Sequence, residues 1–96
     1  MLKHVVLFKF KPSTTPAQRK EFVAALKALP KTISDIKGWK VVETVPGRPE
    51  RFSHVGLFSE FDDVAGLDRY IAHPDHKAFV ALVDAYCESR ANFDYV

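Results

Sequence analysis

Eight consecutive residues, Arg69-Tyr70-Ile71-Ala72-His73-Pro74-Asp75-His76, bring a phenol, two imidazoles and a carboxylate into an otherwise ordinary amphipathic region. These side chains suit proton transfer at carbon. His76 is the candidate general base, removing a proton from carbon next to a carbonyl, and Tyr70 the donor to the oxygen where negative charge develops. Such a pair needs no cofactor. A structural reading stands beside the catalytic one: Tyr70 packs against a sheet, His73 caps a break in the chain, and His76 satisfies polar groups of a helical turn. The backbone consequence is common to both. A residue before proline is pushed out of the helical basin while proline suits the first helical position, so one helix should end near His73 and another begin at Pro74. His76 then lies in a first turn, where the positive end of the helix dipole disfavours an added proton and Asp75 favours one.

The elements that must carry this segment follow from periodicity. Leu2 to Phe10 reads as a strand with His4, Val6, Phe8 and Phe10 on one face and Val5 and Leu7 on the other. Thr15-Pro16-Ala17-Gln18 has the form of a capping box with proline at the first helical position, opening a helix whose apolar stripe is Phe22, Ala25, Leu26, Leu29 and Ile33, ended or kinked at Pro30. Trp39 to Val45 is the second predicted strand, Pro46-Gly47-Arg48-Pro49 a turn, and Phe52 to Phe58 the third strand. A helix capped by Asp62 or a neighbour uses Val64, Leu67 and Ile71, breaks at His73-Pro74 and resumes with Phe79, Leu82, Val83 and Tyr86. Asn92 to Val96 is predicted as a short last strand. His4 and His54 fall on adjacent strands, where they could share a polar pocket or each be a satisfied, half-buried histidine. Trp39 and Tyr86 are in phase with apolar stripes and read as core or interface residues.

The order β-α-β-β-α-β predicts an α+β, ferredoxin-like protomer: a four-stranded antiparallel sheet with helices on one face, in one domain spanning residues 1–96. Strands one and three are apolar on both sides, so the bare sheet face predicts a homodimer built sheet against sheet. A net charge of +2, with basic residues scattered along the chain, nominates no nucleic-acid partner. Lys9 and Lys11 interrupt the first apolar run well short of a signal peptide or membrane span, which predicts a cytoplasmic chain without membrane association. The single cysteine, Cys87, falls in the predicted last helix and reads as a buried or half-buried thiol in a reducing compartment. His73 and His76 have a spacing compatible with metal binding, but no cysteine or acidic set closes a site, and no metal is predicted.

Four stretches resemble the stress-responsive A/B barrel (Dabb) family of dimeric α/β barrels: Lys3-His4-Val5-Val6-Leu7-Phe8-Lys9-Phe10-Lys11, Ser53-His54-Val55, Tyr70 through His76, and Phe93-Asp94-Tyr95-Val96. The resemblance covers essentially the whole chain and implies a ferredoxin-like protomer whose dimer closes two sheets into a barrel. The family includes stress-associated proteins without assigned chemistry and one well-defined class of cofactor-free plant polyketide cyclases, the olivetolic acid cyclase type. The resemblance to that class implies Tyr70 and His76 as catalytic residues and His4 and His54 as pocket histidines. It also puts Phe22 and Leu26 of the first helix at the substrate, Leu26 standing where the cyclases carry an aromatic residue. Three classes of function follow as expectations: a cofactor-free cyclase or lyase acting on a carbonyl compound, a non-catalytic structural or ligand-binding stress protein, and, by analogy of fold alone, a cofactor-free monooxygenase.

Overall fold

The computed structural model describes all 96 residues. The chain runs β1 (Leu2–Phe10), α1 (Pro16–Ala28), a short 3-10 turn (Leu29–Lys31), β2 (Gly38–Glu43), β3 (Val55–Phe61), α2 (Val64–Ala72), α3 (Pro74–Tyr86) and β4 (Cys87–Tyr95). The strands form one antiparallel sheet in the order β2-β3-β1-β4, with the helices on one face. This is the ferredoxin-like α+β fold.

Local chemistry accounts for the boundaries. The Thr15 hydroxyl accepts from Gln18 N–H while the Gln18 side chain accepts from Thr15 N–H, and Pro16 follows in the first helical position, so α1 starts where the capping box directs. Asp63, rather than Asp62, caps α2 by accepting from Gly66 N–H. His73 is extended, as a residue before proline must be, and serves both helices: its N–H donates to Tyr70 C=O, and its Nδ1 accepts from Asp75 N–H.

Four boundaries depart from the periodicity, one of them the end of β3, which runs to Phe61 rather than Phe58. β2 stops at Glu43 rather than Val45. β3 begins at Val55, because Phe52 N–H is used in a turn to Pro49 C=O and the Phe52 ring lies under the guanidinium groups of Arg48 and Arg51. β4 starts five residues before Asn92, at Cys87. Lys11 N–H and the Thr14 hydroxyl both donate to Tyr86 C=O, drawing the end of α3 onto the turn after β1, and Cys87 then pairs with Phe10. Cys87 is therefore a buried strand residue, not a helical one, and burial pushes its thiol pKa up to about 11.

The core lies between sheet and helices. Phe22 meets Phe8, Phe10 and Phe79 at ring-centroid distances of 5.0–5.2 Å, and Leu26, Ile33, Val55, Leu57 and Phe61 fill the remainder. The other sheet face is uncovered. There Leu7, Val42, Phe58, Phe93 and Tyr95 are each more than one-third exposed.

Candidate active site

Side-chain direction on β1 and its neighbours decides what faces the helices. His4, Val6 and Phe8 point toward them, and their cross-strand partners on β4 are Asp94, Asn92 and Arg90. Directly opposed residues of an antiparallel pair share a face, so these three polar side chains also lie on the helix side. Tyr70 comes down from α2 and His76 from the first turn of α3. Together they border a cleft of about 140 Å³, lined by His4, Val6, Phe8, Leu57, Tyr70, Ile71, His76, Phe79, Arg90 and Asn92.

Tyr70 is 2% exposed, packed among Phe61, Trp39, His4 and His76. Its hydroxyl makes no hydrogen bond to the protein, and no fully enclosed side-chain polar atom in the chain lacks a partner. The hydroxyl therefore opens into the cleft. Burial drives its pKa well above the usual phenol value, against a smaller opposing influence of the Arg90 charge, so Tyr70 is a neutral donor.

The His76 ring lies 4.4 Å from the Tyr70 ring, centroid to centroid, tilted by 56°. Its Nδ1–H donates to Ile71 C=O at 3.1 Å, reaching back across the helix break. That bond fixes the neutral tautomer with the Nε2 lone pair unencumbered. Burial lowers the pKa of His76; the bond to Ile71 opposes this, while the charges of Arg90, His4 and His73 add to it. An uncharged imidazole with a free Nε2 is a proton acceptor at neutral pH.

His4, 5% exposed, is held from two sides. Its Nδ1–H donates to the Asp94 carboxylate, and its backbone C=O accepts from the Ser59 hydroxyl at 2.7 Å. His4, Tyr70 and His76 thus converge on one cleft from β1, α2 and α3. The charged side chains of the loaded octapeptide turn elsewhere: Arg69 donates through two nitrogens to Asp35, and Asp75 stays beside His73.

His54, Phe22 and Leu26 are not in this wall. His54 precedes β3 at the opposite end of the sheet, stacked on Phe10, where its Nδ1 accepts from Phe10 N–H at 3.0 Å. The shared His4–His54 pocket is excluded by register: His4 pairs with Ser59 and Phe8 with Val55, so the two histidines sit at opposite ends of the β1–β3 ladder. Phe22 and Leu26 have no exposed surface; Phe22 is enclosed by other aromatic rings, and the Leu26 carbonyl accepts from the Trp39 indole. Conversely, the periodicity names neither Arg90 nor Asn92 as a site residue: Arg90 falls between the predicted last helix and the predicted strand, and Asn92 stands at that strand's first position. Their alternation with Asp94, every second residue, was the available strand signal.

Comparison with known proteins agrees with this architecture. Residues 2–96 match the model of the Stress responsive A/B Barrel Domain, Dabb. The chain belongs to the Dabb family. The olivetolic acid cyclase of Cannabis sativa is 30% identical over 96 residues, an alignment covering 98% of this chain and 94% of the cyclase. Among solved structures, a dimeric protein of unknown function with a ferredoxin-like fold from Bacteroides fragilis is 33% identical, with a TM-score of 0.83 and coverage of 98% of this Dabb chain and 93% of that one. The hydroxynitrile lyase of Passiflora edulis superposes with a TM-score of 0.85 over 98% of this chain and 90% of its own; at 20% identity it shares the fold.

No helix of the Dabb chain is long and apolar enough to cross a membrane. No three His, Cys, Asp or Glu side chains converge at a spacing that would hold a metal ion.

Proposed function

We propose that this Dabb protein is a homodimeric, cofactor-free acid–base enzyme of the cyclase or lyase type, acting on a small carbonyl compound. The observation that carries the reading is the convergence of the free His76 Nε2 and the unpartnered Tyr70 hydroxyl on one cleft. His76 takes the proton from carbon next to the carbonyl. The C–H electron pair becomes the enolate double bond, the carbonyl electrons move to oxygen, and Tyr70 donates its hydrogen bond there. Reprotonation or C–C bond formation can each follow from that enolate. The relation to a plant cyclase supports this chemistry, while the size of the cleft argues for a shorter substrate: ligand pockets commonly enclose about 300–1,000 Å³.

The dimer is supported by the apolar open sheet face and by the dimeric state of the Bacteroides relative. Two such faces together hide Leu7, Val42, Phe58, Phe93 and Tyr95 and leave both clefts, which lie on the helix sides, open. A cytoplasmic location accords with the single, free cysteine.

The test is proton exchange at carbon. A panel of short ketones and keto acids is incubated in D2O and deuterium uptake next to the carbonyl is followed by NMR. The wild-type protein should accelerate uptake for at least one compound, and His76→Ala should lower that acceleration by about 10²–10⁴-fold. Equal rates for the wild type and His76→Ala would remove His76 as the base and leave the cleft a binding site.

A further inference from the structure

The cleft contains a cation that the acid–base pair does not use. Arg90 lies in its wall beside His76 and Tyr70, and its charge reaches both. It takes part in none of the ion pairs of the chain, which join Lys3 to Glu60, His4 to Asp94, Lys9 to Glu88, Arg69 to Asp35 and His73 to Asp75. The two carboxylates nearest along β4 are occupied: Glu88 by Lys9 on one side, Asp94 by His4 on the other. Asn92, also in the wall, stands two residues along the same face of the strand, roughly 7 Å from Arg90 along the chain. A guanidinium and an amide side by side are donors suited to the two oxygens of a carboxylate. The site is also small, about 140 Å³.

We propose that the cleft selects short carbonyl compounds that carry a carboxylate, with Arg90 and Asn92 binding the carboxylate while the carbonyl lies between Tyr70 and His76. This rests on the acid–base reading above and names its substrate class. The placement has a chemical consequence. Arg90 fixes the end of the substrate remote from the reacting carbon, so the proton to be removed is presented to His76 Nε2 in one orientation. Because Arg90 faces the helices and not the open sheet face, pairing of two sheets leaves it free to act.

The experiment uses two compounds of the same size, levulinate and its uncharged isostere 5-methylhexan-2-one, in which a branched hydrocarbon end replaces the carboxylate. Binding of each to the intact protein is measured by NMR titration, and deuterium uptake next to the ketone is read in the same samples. Wild-type protein should bind levulinate about tenfold or more tightly than the isostere, the range expected for a charge-assisted pair. Arg90→Gln should erase that preference, and Arg90→Lys should retain part of it. The proposal is overturned if the wild type binds neither compound, if it binds both equally, or if the preference survives in Arg90→Gln. The two readings fail separately. Uptake that depends on His76 but is indifferent to charge overturns the carboxylate subsite and keeps the acid–base chemistry. An Arg90-dependent preference without deuterium uptake keeps the subsite and overturns the chemistry.

Discussion

His76 and His54 occupy opposite ends of the sheet, and burial lowers the pKa of both, yet their hydrogen bonds give them opposite tautomers. At His54, Nδ1 accepts from Phe10 N–H, so the neutral ring carries its proton on Nε2 and its lone pair is spent on the backbone. At His76, Nδ1 is the donor, to Ile71 C=O, and Nε2 is left with its lone pair free. Burial alone therefore does not make a base. The backbone group that each ring meets first decides it: a strand N–H seeking an acceptor in one case, and in the other a carbonyl freed where α2 breaks before Pro74. The surroundings differ in the same sense. His54 is stacked flat on Phe10, whereas His76 faces a cleft with a phenol and a guanidinium.

Substitutions should separate the two ends cleanly. The largest effect belongs to His76→Ala, which should reduce carbon-proton exchange by about 10²–10⁴-fold while leaving the melting temperature nearly unchanged; a comparable loss of exchange on replacing His54 would break the contrast. Phe22→Ala should follow, costing about 3–5 kcal/mol in chemical denaturation, because it removes the ring beneath Phe10, on which His54 is stacked. Tyr70→Phe keeps the packing and removes the donor, and should slow exchange by about 10²-fold with little change in binding. His54→Ala leaves a strand N–H without its acceptor and should cost about 1–2 kcal/mol of stability without altering exchange.

The smallest effect is in pH. Each histidine binds its proton more weakly folded than unfolded, so the unfolded chain takes up protons first as pH falls. The stability each contributes is complete above 6.5, the unfolded value, and is lost as pH falls from there through the lowered folded value. Denaturation midpoints measured across that range should decline in acid, less steeply in His54→Ala. The exchange rate should lose activity over the same acidic range in the wild type and in His54→Ala alike, since only His76 titrates the reaction.

Much of this molecule was legible as a string of residues. The ferredoxin-like order, the Thr15 capping box, the break at His73-Pro74 and the alternation of His4, Val6, Phe8 and Phe10 are local properties, set by proline geometry, side-chain caps and strand period, which act over a few residues wherever the chain goes. The same locality made Tyr70 and His76 visible as a pair. Periodicity lost the start of β4, and with it Arg90, because the apolar pattern of α3 runs on smoothly; what ends the helix is a pair of donors, Lys11 and Thr14, more than seventy residues earlier in the chain. Register likewise separated His54 from His4, since pairing between strands fixes which residues are neighbours, and strand period alone fixes only which face they share. The sequence by itself determined the order of the elements and the candidate side chains Tyr70 and His76. The tertiary structure decided which nitrogen of each histidine is free and which cation stands beside it, because both depend on backbone groups and strand partners brought together only when the sheet and helices close on one another.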